Sequence, residues 1–312
     1  MDIPSDSGTL GAIDIGGTKI AVGLVTESGH LLDSVSLPTR PEQPYSAALG
    51  DVIAALEKLI QTNKATLRGI GLGATGRITP TSGMIQTNPF LPNWSACYPA
   101  QDLSAHFGIT TAIENDADSA ALAEYQWGAG AGAERLIYVT ISTGIGGGIM
   151  LNGKLYRGVD DSHPEIGHHS IDPNGPVCFC GANGCWERMA SGTALTLWAR
   201  ENGGEADWDA RTICDLAERG NSVACLAVAR EAHYLGIGLA NLITIFSPDH
   251  LILGGGLMQR WELFRENVEA TIRGQCGLVP WQKIHLTISQ LQHTGLLGAA
   301  AVWIHHYRAQ IF

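Results

Sequence analysis

The segment from Glu165 to Glu187 limits the fold of this chain more than any other. It reads Glu165-Ile-Gly-His168, then Cys178-Phe-Cys180-Gly-Ala-Asn-Gly-Cys185-Trp-Glu187. One imidazole and three thiols at this spacing predict a closed tetrahedral metal site of the Cys₃His type, with zinc as the expected ion. Such a clamp draws the loop together regardless of what surrounds it. The two glutamates exceed a four-ligand count, so they are free to meet something else, and the clamp fixes where they point.

The rest of the chain is that of an ordinary globular protein. Its 312 residues are more than one small core usually spans, so two lobes are expected. The net charge of −11 comes without a basic stripe, which argues against nucleic acid and against an anionic membrane surface as partners. No apolar run is expected to reach the length of a membrane span. The start, Met-Asp-Ile-Pro-Ser-Asp-Ser-Gly, lacks the basic and apolar regions of a signal peptide. Outside the cluster, Cys97, Cys214, Cys225 and Cys276 are scattered and read as buried thiols. Together these features place the chain in a reducing cytoplasm.

Strand-like and helix-like segments alternate, which predicts an α/β protein. Residues 9–25 read as two strands around a Gly-rich turn, and Leu49, Val52, Ile53, Leu56 and Ile60 mark one face of a helix. Residues 69–76 read as a buried strand, 78–97 as a Pro- and Asn-rich loop, and 110–114 as a short strand. Asn115-Asp116 then opens a helix reaching Gln126. Strands follow at 136–141 and 250–253. Helices fill about 190–245 and 261–272, and a last one starts near Leu296.

Three glycine clusters follow predicted strands: Gly16-Gly17, Gly144 to Gly148, and Gly254-Gly255-Gly256. Backbone N–H groups approach phosphate oxygens closely where no Cβ intervenes. Neither a Walker A loop nor a dinucleotide fingerprint is present, because the spacings differ. The first two clusters read as hairpin turns. The third lies between a strand and a helix, where a nucleotide can meet a helix N-terminus. Each cluster alone is equally a tight turn. Thr18 and Thr143 can donate to phosphate oxygens, and Asp14 can hold Mg²⁺ through water. Lys19 reads either as a phosphate partner or as a solvated turn residue. Asp116 reads either as a helix-start acid or as a general base at a lobe boundary.

Taken together, the motifs resemble those of the ROK family (repressor, open reading frame, kinase). They are Asp14-Ile-Gly-Gly-Thr-Lys19, Gly76-Arg77, Glu114-Asn-Asp116, Ser142-Thr-Gly-Ile-Gly-Gly-Gly148, Glu165-Ile-Gly-His168, Cys178-x-Cys180-Gly-x-x-Gly-Cys185-x-Glu187 and Gly254-Gly-Gly256. They occur in the family's order over nearly the whole chain. The resemblance implies an actin-like (ribonuclease H-like) two-lobed sugar kinase fold with an interlobe cleft. Residues 1–117 would form the first lobe, joined by a C-terminal helix at about 296–312, and 118–295 the second, which carries the zinc loop. It also implies ATP-dependent phosphorylation of a hexose hydroxyl, usually the 6-OH, and a homo-oligomer.

By the same resemblance Asp116 takes the position of the catalytic base. Gly76, Arg77, Asn115, Glu165, His168 and Glu187 take sugar-binding positions. His168, Cys178, Cys180 and Cys185 hold a structural Zn²⁺. ATP and Mg²⁺ meet Asp14, Gly16, Gly17, Thr18, Lys19, Thr143, Gly144, Gly254, Gly255 and Gly256. Trp94 and Trp186 read as packing residues before sugar platforms, and His163 and His169 as surface or supporting positions.

The chain also departs from the pattern. The family often carries Asn where Asp118 stands, and many glucokinase-like members have Ala-Gly-Glu in place of His163-Pro164-Glu165. Asn88-Pro89 and the Gly-Pro-Val-Cys-x-Cys-Gly run are similar to N-acetylmannosamine kinases, whereas Phe-Leu-Pro-x-Trp94 is nearer to glucokinases. Glucose is therefore the leading substrate and N-acetylmannosamine the alternative. A sugar-responsive repressor on the same scaffold is disfavoured, since the first strand begins by about residue 9 and leaves no room for a helix-turn-helix.

Overall fold

The computed structural model describes residues 8–79 and 82–307. The chain opens with an antiparallel meander of β1 (Thr9–Ile15), β2 (Lys19–Thr26) and β3 (Leu31–Pro38). Helix α1 (Tyr45–Asn63) leads to β4 (Leu67–Ala74), which lies parallel to β1. A short hairpin of β5 (Ile78–Thr79) and β6 (Met84–Ile85) follows, then α2 (Pro99–Phe107) and β7 (Thr111–Asn115) beside β4. Helix α3 (Asp116–Trp127) ends this half.

The same plan then repeats. β8 (Arg135–Ile141), β9 (Ile145–Leu151) and β10 (Lys154–Leu155) form a second antiparallel meander. After α4 (Trp186–Met189), α5 (Gly192–Glu201), α6 (Ala210–Glu218) and α7 (Ser222–Phe246) comes β11 (His250–Gly254), parallel to β8. Helix α8 (Arg265–Gln275) connects to β12 (His285–Ile288), and α9 (Thr294–Tyr307) ends the described chain. The two five-stranded sheets have the orders β3-β2-β1-β4-β7 and β10-β9-β8-β11-β12, one topology used twice.

The strand period explains how each sheet is covered. In β1, Leu10 and Ala12 point to one face and Ile13 and Ile15 to the other, and all four are buried. Ile13 and Ile15 pack with Leu49, Val52 and Leu56 of α1, spaced as one helical stripe. Leu10 and Ala12 join a different cluster, which also holds Ala121 of α3, Val302 of α9, and Leu136 and Ile252 of the second sheet. α3 and α9 therefore fill the space between the sheets. α9 docks on the first sheet, where Trp303 Nε1 donates to Thr110 Oγ1 at 2.9 Å and the Tyr307 hydroxyl to the Thr111 carbonyl at 2.9 Å.

Four expectations change. Of the scattered cysteines read as buried thiols, Cys214 and Cys276 are buried, but Cys97 is half-buried and Cys225 exposed. α7 is long and apolar enough to meet the length and composition of a membrane span, contrary to the sequence reading. Its inward residues, among them Leu235, Leu239 and Leu242, belong to the core of the second half, so it is a core helix. Gly254 to Gly256 leads into a 3₁₀ stretch, Leu257–Leu263, and not directly into an α-helix. The helix-dipole argument does not apply at that turn, because α8 begins only at Arg265. The expected loop at 78–97 contains the β5–β6 hairpin and a 3₁₀ turn at Pro92–Trp94. The part of the expected last helix at 308–312 lies outside the described residues.

Candidate functional site

Asp116 stands where β7 gives way to α3. The strand ends because Asn115 turns its side chain back as a cap, its Oδ1 accepting from the N–H of Ala117 at 2.8 Å and of Asp118 at 3.4 Å. A cap of this kind contributes roughly 1 kcal/mol. The Asn115 amide nitrogen donates to the Gly76 carbonyl at 2.9 Å, which ties the helix start to the end of β4. Asp116 Oδ1 accepts from Ala117 N–H at 2.9 Å.

The Asp116 carboxylate opens onto a cleft of about 1070 Å³, lined also by Asp14, Lys19, Ser142 and Gly254 to Gly256. Its surface is exposed to the cleft, while many protein atoms surround the carboxylate from behind. This desolvation, reinforced by the negative field of Asp14, pushes its pKa up to about 6, although the Ala117 N–H and His163 pull the other way. Burial also raises Asp14, against the pull of Lys19. Two carboxylates facing a cleft with one lysine make a site suited to a hard cation and an acidic hydroxyl.

The glycine clusters meet at the same place. Gly16 N–H closes a tight turn on the Lys19 carbonyl at 3.0 Å, with Thr18 and Lys19 exposed. Ser142 Oγ accepts from Gly256 N–H at 3.1 Å, which joins the second cluster to the third. Gly255 has φ +92°, and a Cβ there would lie 2.3 Å from the Ile141 carbonyl oxygen, so only glycine fits. Beyond Ser142 and Gly256 a second cavity of about 810 Å³ opens, lined by Thr143, Thr193, Arg200 and Arg211. Its residues on α5 and α6 carry no motif, and the sequence reading missed them.

Glu187 and the turn at 165–168 pack against the first residues of β9. Glu187 Oε2 accepts from Ile145 N–H at 2.9 Å, and the carboxylate lies where a Cβ on Gly144 would stand. His168, Cys178, Cys180 and Cys185 place one ligand atom each within 4.8 Å of one another. His168 Nδ1 sits 3.6 Å from Cys178 Sγ, and Cys180 Sγ 3.2 Å from Cys185 Sγ. Those separations are close to the edges of a tetrahedron built on metal–sulfur and metal–nitrogen bonds of about 2.3 and 2.0 Å. Glu165 is exposed on the 3₁₀ turn leading to His168, and Arg77 is exposed beside β5.

Trp94 is buried and packs edge-on against Tyr45, while Trp186 is buried with its Nε1 donating to the Tyr234 carbonyl, so both serve packing. His169 is half-buried against Trp186, and His163 bonds to Asp118, so neither is a free surface residue.

This order of motifs around one cleft has counterparts elsewhere. The ROK family model matches residues 10–306. The chain belongs to the ROK family. A glucokinase of Thermotoga maritima is 32% identical over 93% of this chain and 95% of its own length. An N-acetylmannosamine kinase of Yersinia pestis is 36% identical over 93% of this chain and 96% of its own. A ROK family glucokinase from Streptomyces griseus, crystallised with glucose and AMPPNP, superposes with a TM-score of 0.77 at 30% identity, covering 94% of this chain and 98% of that one. The duplicated sheets are thus the two halves of the actin-like ROK kinase fold.

Proposed function

We propose that this protein is an ATP-dependent hexose kinase acting on a sugar hydroxyl, the 6-OH first, with glucose as the leading substrate. It is a phosphotransferase of the sugar-kinase type. The observation that carries the reading is Asp116, a carboxyl with pKa about 6 at the start of α3, facing a cleft that also holds Asp14, Lys19 and the glycine turns.

In this reading Asp116 accepts the hydroxyl proton as the sugar oxygen attacks the γ-phosphorus. The bond from that phosphorus to the bridging oxygen breaks, and ADP leaves with the electron pair. Lys19 and the backbone N–H groups of the three turns hold the phosphate chain, and the cavity beside Thr193 and Arg200 takes the adenosine. Asp14 fits a Mg²⁺ role, being a half-buried oxygen donor whose negative field reaches Asp116. When bound, that ion neutralises charge on the phosphates.

Sugar hydroxyls go to Glu165, His168, Glu187, Asn115 and the Gly76-Arg77 turn. The Asn115 amide spends one N–H on Gly76, which leaves the second for a hydroxyl. Glu187 keeps one oxygen on Ile145 and offers the other. Zn²⁺ on His168, Cys178, Cys180 and Cys185 orders this loop and supplies no acid or base. N-acetylmannosamine is the second reading, favoured by the 36% identical relative. In this reading the first lobe is 1–117 joined by the C-terminal helix at about 296–312, and the second is 118–295.

A coupled ADP-release assay with ATP and Mg²⁺ over hexoses and N-acetylhexosamines tests the proposal. Turnover on glucose above the others is expected, and no turnover on any sugar removes the kinase reading. The same assay across pH checks the base. A base with pKa about 6 works only when deprotonated, so activity should fall as pH drops through 6 and level off above it.

A further inference from the structure

Two departures from the family pattern touch each other. Asp118, where the family often has Asn, is wholly buried in the first turn of α3. Its Oδ2 meets His163 Nδ1 at 2.7 Å and Arg157 Nη1 at 2.6 Å, while its Oδ1 is buried without a partner among the described residues. Arg157 also reaches Glu114 at 2.5 Å, and Glu114 meets His306 of α9 at 2.8 Å. The Asp118, His163, Arg157 and Glu114 side chains are all at least four-fifths buried.

The contact joins the two segments that carry the candidate acids Asp116 and Glu165. Asp116 lies two residues before Asp118 on a rigid helical turn, and Glu165 two residues after His163 across Pro164. Two residues span at most about 7 Å, so a fixed His163 leaves Glu165 little range. We infer that Asp118 and His163 form a buried clasp that positions the sugar-binding Glu165 against the base Asp116. The inference rests on the kinase reading above. His163 and Asp118 are positioning residues, since neither is assigned a contact with substrate.

The clasp is ionic. Burial opposes the charge on His163, but the hydrogen bond to Asp118 and the fields of Asp118 and Glu165 outweigh it, so its pKa rises, with Arg157 opposing. A raised histidine pKa keeps the clasp charged to higher pH than a free imidazole would, and the clasp weakens as pH climbs through that value. The groups facing the clasp are Arg157, Glu114, Glu165 and Asp116, with His305 and His306 behind them on α9. Arg157 keeps Asp118 paired after His163 loses its proton, so the loop loosens while the helix start stays intact.

The test is steady-state kinetics of the full chain, of His163→Ala and of His163→Asn, over pH 6 to 9, with melting curves alongside. His163→Ala is expected to raise the sugar KM about tenfold while the ATP KM stays within about twofold. His163→Asn keeps a donor near the Nδ1 position, so it should restore most of the sugar KM and remove the alkaline rise in sugar KM expected of the parent. An unchanged sugar KM in His163→Ala overturns the inference while the kinase reading stands. So does an equal rise in both KM values that tracks a lowered melting temperature and is not rescued by Asn. Absence of turnover in the parent chain overturns both.

Discussion

Asp116→Asn is expected to keep sugar and ATP binding and to lose about 10²- to 10⁴-fold in kcat, the usual contribution of a positioned general base. The substitution is close to isosteric. Its amide oxygen can still accept from Ala117 N–H, and Asn115 continues to cap α3. What disappears is the proton acceptor. Stability should move the other way. The carboxyl is held at about 6 because its charged form is disfavoured in the cleft, so at neutral pH the charge weakens the fold; this penalty shrinks as pH falls below 6 and is gone only below the ordinary carboxylate value of 3.8. The neutral amide should therefore melt at the same temperature or higher at pH 7.5, with the gap narrowing as pH falls from 6 toward 3.8. Calorimetric titration with the sugar separates binding from turnover. A kcat within about tenfold of the parent would place the base elsewhere.

Cys180→Ser is expected to cost the protein its metal, part of its stability and much of its sugar affinity. Four ligand atoms within 4.8 Å of one another are arranged to take one cation, which would cross-link the loop and release the thiol protons on binding. The loop between Cys178 and Cys185 has little apolar content of its own. Val177 and Phe179 are largely exposed, so the cross-link, not a core, holds it. Glu187 follows the last ligand by two residues, and His168 is itself a ligand. Loosening the loop should therefore raise the sugar KM several-fold and leave the ATP KM nearly unchanged. Elemental analysis should find about one zinc per parent chain and almost none in the variant. A parent chain free of metal yet fully active would remove the clamp from the proposal.

Much of the fold was legible because local and global signals agree. The β1–β2 and β8–β9 hairpins have apolar strands with glycine at the turn, and Asn115-Asp116 marks a helix start with a cap that the structure contains. Helix α2 was overlooked although it begins with Pro99 and ends at Gly108, a pairing that signals a helix. β3 is a half-exposed edge strand ending in Pro38, and β12 is four residues held by pairing with β11, so neither carries a strong pattern. The doubled topology escaped because it lives in strand pairing and not in repeated residues.

Within the candidate site, residues on short motifs could be nominated from the sequence. Contacts made across the fold could not. Asp118 and Arg157 are 39 residues apart, and Asp118 and His163 are 45 apart. The same holds for Thr193 and Arg200, which reach their cavity only because α5 folds over the second glycine turn.

The helix that covers the first sheet is the last one in sequence. During synthesis, strands Thr9–Ile15 and Leu67–Ala74 emerge long before Thr294–Tyr307. One apolar side of that sheet must wait, wet and unpaired, until Thr294–Tyr307 has left the ribosome. The amino-terminal half is thus a late finisher on the ribosome, and a chaperone or nascent partner would meet it before the carboxy-terminal half closes over it.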